Sequence, residues 1–93
     1  MTRSERKYVL AWTHAQALHY ARMMEWSRDE WAFIGPGDEE KLLGLHSIVL
    51  YDVRAPRFHP TQTMAEKMQR TRERIQPMLD SERISKLNVV NLP

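Results

Sequence analysis

The chain has 93 residues, 42% hydrophobic and 28% charged, which suits one globular core and excludes both a disordered polymer and two domains each too small to bury a core. With no cysteine, a disulfide framework and any zinc site with thiolate ligands are excluded, a composition compatible with a reducing cytoplasm. The net charge of +2 hides an asymmetry: Met23–Asp52 holds seven acids against two bases, whereas Val53–Gln76 holds six bases against two acids.

Chain order begins with the charged segment Met1–Lys7, of which residues 1–6 are read, with residues 88–93, as candidate flexible or arm-like tails. The apolar run Tyr8–Trp12 behind it is too short for a signal peptide, and no stretch approaches the ~18 apolar residues that cross a bilayer. A cytoplasmic protein without a membrane partner is expected. Tyr8-Val9-Leu10-Ala11-Trp12 has the length and aromatic, β-branched content of a strand covered on both faces. Thr13-His14-Ala15-Gln16 then reads as a capping box, and Ala17, Leu18, Ala21 and Met24 recur at helical spacing, which predicts a helix from His14 to about Glu25.

Trp31–Ile34 is the second strand, stopped by Gly35-Pro36-Gly37, after which Asp38 caps a short helical turn through Leu43 and Gly44 ends it. Ile48–Val53 is the clearest strand, closed by the two prolines of Arg54–Pro60. Thr63-Met64-Ala65-Glu66 reads as a second capping box, with Met64, Met68, Ile75 and Leu79 as the apolar stripe of the helix behind it. Pro77 is expected to kink or split that helix, with Asp80–Leu87 as a further short helix. For Asn88–Leu92 three readings stand open: a frayed tail, an added edge strand, or an arm pairing with a second copy. The order predicts a single α/β domain built on a small three-stranded parallel sheet with flanking helices and right-handed crossovers.

In such sheets ligands bind beyond the carboxyl ends of the strands, which nominates Thr13, His14 and Asp52 as a strand-end cleft, together with Gly35–Asp38. Asp52 follows four apolar residues, as the Mg²⁺-positioning Asp of a P-loop NTPase does, but the G-x-x-x-x-G-K-[S/T] loop is missing. Gly35-Pro36-Gly37-Asp38 reads as a tight turn and cap, because Asp38, Glu39 and Glu40 would repel a phosphate. His14, His19, His46 and His59 lack ligand pairing, so no metal and no cofactor are expected. Arg54, Arg57, Lys67, Arg70 and Arg74 form a candidate anion or nucleic-acid surface, read against the plainer alternative of a solvated helix face that includes the i,i+4 pair Glu66–Arg70. Trp26, Trp31 and Phe58 exceed what three strands can cover, and are candidates for an interface.

The run Tyr8–Ala17, then Trp31–Ile34, then Leu42-Leu43-Gly44-Leu45 before Ile48–Val53, resembles small bacteriophage proteins, particularly from phages of actinobacteria. Those look like truncated relatives of Rossmann-like and P-loop folds. The resemblance spans about residues 7–80 and transfers no catalytic residue. It implies a Rossmann-like accessory protein in the cytoplasm of a bacterial host, with a host protein as partner. The expectation is therefore a non-enzymatic domain that works by protein contact as a homo-oligomer. The first alternative is nucleic-acid binding through residues 54–74, and the second a degenerate nucleotide-binding or hydrolytic enzyme using Asp52 and His14.

Overall fold

The computed structural model describes residues 6–92, and the tail readings for residues 1–5 and Pro93 lie outside them. Four strands, β1 (Arg6–Leu10), β2 (Trp31–Ile34), β3 (Ile48–Arg54) and β4 (Ile84–Asn91), pair entirely in parallel in the order β2-β1-β3-β4. Helix α1 (His14–Met23) connects β1 to β2, a 3₁₀ helix (Glu39–Leu42) lies between β2 and β3, and α2 (Gln62–Asp80) connects β3 to β4.

Side chains alternate across a strand, so each face of the sheet has its own core. Tyr8, Leu10, Ile34, Ile48, Leu50 and Ile84 meet Leu42, Met68, Ile75 and Met78 on the side of the 3₁₀ helix and α2. Val9, Ala11 and Val53 meet Ala17 and Tyr20 of α1 on the other, with Trp26, Trp31, Phe33 and Tyr51 packed around them. From Tyr8 to Leu10 the internal strand β1 is apolar on both faces because helices cover both.

Both helices start where a threonine hydroxyl replaces a missing intrahelical partner. Thr13 Oγ1 accepts from Gln16 N at 3.2 Å, but Gln16 Oε1 is buried without a partner, so only half of the expected capping box forms. The second cap is Thr61, whose Oγ1 accepts from Met64 N at 3.2 Å, and not Thr63. Both helices end in the same hydrogen-bond pattern. Trp26 N donates to Ala21 O and Glu25 N to Arg22 O, while Arg83 N donates to Met78 O and Glu82 N to Leu79 O. Glu25 (φ 58°) and Glu82 (φ 62°) occupy the left-handed position that this motif usually gives to glycine.

In the C-terminal third two expectations are corrected and one open choice is resolved. The helix is not split at Pro77 but runs through it to Asp80. The proline removes one donor near the helix end on an exposed face, where water can bond the released carbonyl of Glu73. Asp80–Leu87 is not a helix: from Ile84 the chain is extended and joins the sheet. Of the three readings of Asn88–Leu92 the added edge strand is the one observed, since Asn88, Val89, Val90 and Asn91 align with Tyr51, Asp52, Val53 and Arg54. The sheet therefore has four strands instead of three, and β4 forms one of its edges.

Candidate functional site

Parallel pairing places the carboxyl ends of β1 and β3 side by side, with Leu10 opposite Asp52. Asp52 points to the α2 side, only 5% exposed, where its two oxygens meet Arg54 Nη2 and Arg72 Nη2, each at 3.3 Å. Arg72 Nε, behind this contact, is buried without a partner. Trp12 and Phe58 stack beside it, ring centroids 5.8 Å apart and planes at 26°, which joins the end of β1 to the loop after β3. With both oxygens facing guanidinium groups, the Asp52 carboxylate serves as a structural counter-ion.

His14 is brought to the opposite face. Its ring stacks on Trp31 at 6.0 Å and meets Phe33 edge-on at 5.4 Å, both on the α1 side of β2. Thr13 caps α1 on that same side. The fold thus separates His14 from Asp52 by the thickness of the sheet, and the three nominated residues do not converge on one cleft.

The Gly35–Asp38 turn is held by side chains that composition alone did not single out. Asp38 Oδ2 accepts from Gly35 N at 3.0 Å, so Asp38 closes the turn and does not cap the 3₁₀ helix. Thr71 Oγ1 accepts from Gly37 N at 2.8 Å and lies 3.0 Å from Glu39 Oε2, to which it donates. Glu39 in turn receives Arg74 Nη1 at 2.9 Å on its other oxygen. The amides of Gly35 and Gly37, which a phosphate loop would present to an anion, are thus used within the protein.

These contacts divide the basic cluster. Arg54 and Arg74 are neutralised by Asp52 and Glu39, whereas Arg57, Lys67 and Arg70 are exposed and have no carboxylate within ion-pair distance among the described residues. Arg72, absent from the nominated set, belongs to the site through its contact with Asp52. The signal for Glu39, Thr71 and Arg72 was weak: Thr71 interrupts the apolar stripe of α2, and an isolated polar residue in a buried stripe implies a buried partner.

Trp26, Trp31 and Phe58, expected as surplus apolar surface, are each half-buried and engaged with other rings. Trp26 lies 4.8 Å from Tyr51 and 5.5 Å from Tyr20 in a cluster that covers β3. Desolvation there, followed by the proximity of Tyr51, holds the Tyr20 phenol above the ordinary tyrosine range. The exposed apolar surface lies elsewhere, at Met23, Met24, Leu43, Leu87 and Val89. Leu87 (39% exposed) and Val89 (53%) share one face of β4. Because Leu92 N donates inward to Arg54 O at 2.7 Å, strand alternation turns the backbone groups of Leu87, Val89 and Asn91 outward. The four-residue β2 is a short edge, whereas β4 offers eight residues with no proline and one lysine.

Among the described residues no helix is long and apolar enough to cross a membrane, and no three His, Asp or Glu side chains are grouped to hold a metal. Comparison with protein-family models, curated proteins and solved structures returns no match to this chain.

Proposed function

We propose that this chain is a non-enzymatic interaction protein that self-associates by pairing the β4 edges of two copies. The observation that carries this reading is an eight-residue edge strand with outward amides and carbonyls beside the exposed Leu87 and Val89. An antiparallel arrangement about a two-fold axis at Asn88 sets Leu87 against the partner copy's Val89 twice over, forming one continuous apolar strip. It also sets Lys86 opposite Val90, which keeps the two lysines apart. The confinement of Asp52 between two arginines and the separation of His14 from it support a role without catalysis.

The strand order 2-1-3-4 is that of a flavodoxin-like doubly wound sheet without its last strand, and differs from the 3-2-1 half of the classic dinucleotide-binding sheet, so it supports the Rossmann-like reading only in the broad sense of an open parallel sheet with helices on both faces. The resemblance to small bacteriophage proteins extends the proposal to an accessory role in the cytoplasm of a bacterial host, with a host protein as a further partner. Arg57, Lys67 and Arg70, without carboxylate partners, favour nucleic acid as the second reading.

Light-scattering mass across protein and salt concentrations tests the self-association. The expected mass is twice the 11.1 kDa of one chain, insensitive to salt, and Leu87→Lys/Val89→Lys reduces it to one chain. A wild-type monomer at millimolar concentration refutes the proposal.

A further inference from the structure

A cleft of about 460 Å³ opens on the α1 side, next to β2 and away from β4, with His14, Trp26, Trp31 and Phe33 as its aromatic lining and Arg22 and Arg28 as its charged one. Its size lies within the range of small-molecule sites. His14 and Trp31 lie nearly parallel, with planes at 29°, Phe33 closes on His14 edge-on at 86°, and Trp26 contributes a second indole. Trp26, Trp31 and Phe33 are only half-buried and His14 is exposed, so aromatic surface remains open to a ligand.

The charge in this cleft has one sign. Arg22 and Arg28 line it, both exposed and neither within ion-pair distance of a carboxylate among the described residues. No acid is among the lining residues. Glu30, next to Trp31 in the chain, is already held: it accepts from Ser27 Oγ at 3.1 Å and lies 3.7 Å from Lys7 Nζ. The hydrogen bonds from Ser27 keep its carboxyl below the ordinary range, so it stays an acceptor turned to that turn. An arginine in the last turn of α1 also suits the helix dipole, but that accounts for neither Arg28 nor the aromatic wall.

From this geometry we infer that the cleft binds a nucleobase carrying a phosphate, the base stacking on the wall of Trp31, His14 and Phe33 while Arg22 and Arg28 take the phosphate. Flat rings favour a planar π-system over an aliphatic chain, and two free guanidinium groups select an anion attached to it. A free nucleotide and a single-stranded nucleic acid both present this chemistry. The site is independent of β4 and of the Arg57, Lys67 and Arg70 face.

The test titrates the full chain at low salt with adenosine 5′-monophosphate, ribose 5-phosphate, inorganic phosphate and a ten-nucleotide oligothymidylate, read by calorimetry and by tryptophan fluorescence excited at 295 nm. Saturable binding of the monophosphate or the oligonucleotide is expected, with ribose 5-phosphate and inorganic phosphate at least ~10-fold weaker, as loss of one stacked base implies. Arg22→Ala/Arg28→Ala, at exposed positions that leave the core intact, should weaken binding by ~10-fold or more. Tighter binding of the oligonucleotide assigns the site to a strand, and tighter binding of the monophosphate assigns it to a free nucleotide. The inference is overturned by any of three results: neither base-containing probe binds, inorganic phosphate binds equally well, or the loss follows Arg57→Ala/Lys67→Ala/Arg70→Ala instead.

Discussion

Replacing Thr71 with valine removes one hydroxyl from a fully buried position without changing the side-chain shape, and so isolates the contact between α2 and the Gly35–Leu42 segment. The hydroxyl receives Gly37 N at 2.8 Å and has a single proton to give, with Glu39 Oε2 at 3.0 Å and Lys67 O at 2.9 Å competing for it. The carboxylate is the stronger acceptor, and Lys67 O already belongs to the helix ladder. The substitution therefore forfeits one neutral bond worth about 1 kcal/mol and one bond to a charged group worth about 1.5–3 kcal/mol. Gly37 is exposed, so water recovers part of the first, and the greater apolarity of valine offsets a little more. A net loss of about 2 kcal/mol remains, a large share of the ~5–15 kcal/mol that stabilises a domain of this size. It corresponds to a fall in Tm of about 8–16 °C. Urea unfolding of the wild type, Thr71→Ser and Thr71→Val measures it. Serine retains the hydroxyl and loses one methyl, about 1 kcal/mol, so the expected order is wild type, serine, valine. Valine as stable as the wild type, or more stable than serine, would refute the reasoning.

Two other substitutions probe how the elements are joined. Glu82→Gly relieves the left-handed conformation at the end of α2 and is expected to raise stability by about 0.5–1 kcal/mol, seen as a higher urea midpoint at unchanged slope. A lower midpoint would mean that the Glu82 side chain contributes more than its backbone costs. Asp52→Asn leaves the two-thirds-buried Arg72 without its countercharge. Discounted for the exposure of both arginines, the expected loss is about 1–2 kcal/mol in the same assay, shrinking as salt is added. Unchanged stability would show that the pair contributes nothing net.

The strand β4 illustrates where local reading ends. A bulge at Ser85 makes Ile84 align with Ile48 and Leu87 with Leu50, so two residues three apart face the same side of the sheet. Three-residue spacing is equally compatible with a helix, so the local pattern did nothing to contradict the short helix that Pro77 led one to expect at Asp80–Leu87. The choice of Thr61 over Thr63 as cap is similarly non-local, because both threonines have the side chain a cap requires and the path of the loop leaving β3 selects between them. The site was divided in the same way. The aromatic residues and the basic run were legible as types, but not that Trp31 and His14 would meet across the α1 side or that Asp52 would be shared by Arg54 and Arg72.

What the sequence determined by itself is the set of elements whose signals are local. Continuous apolar runs require strands covered on both faces, the Thr13 cap and small-residue stripe require α1, and strands alternating with helices require a parallel sheet. Only the tertiary structure decided the fourth strand, the face to which each charged side chain turns, and which arginines keep an unpaired charge. Those outcomes depend on register and on contacts such as Glu39 with Arg74, separated by 35 positions in the chain, and no local pattern encodes a distance between residues that meet only after the sheet has formed.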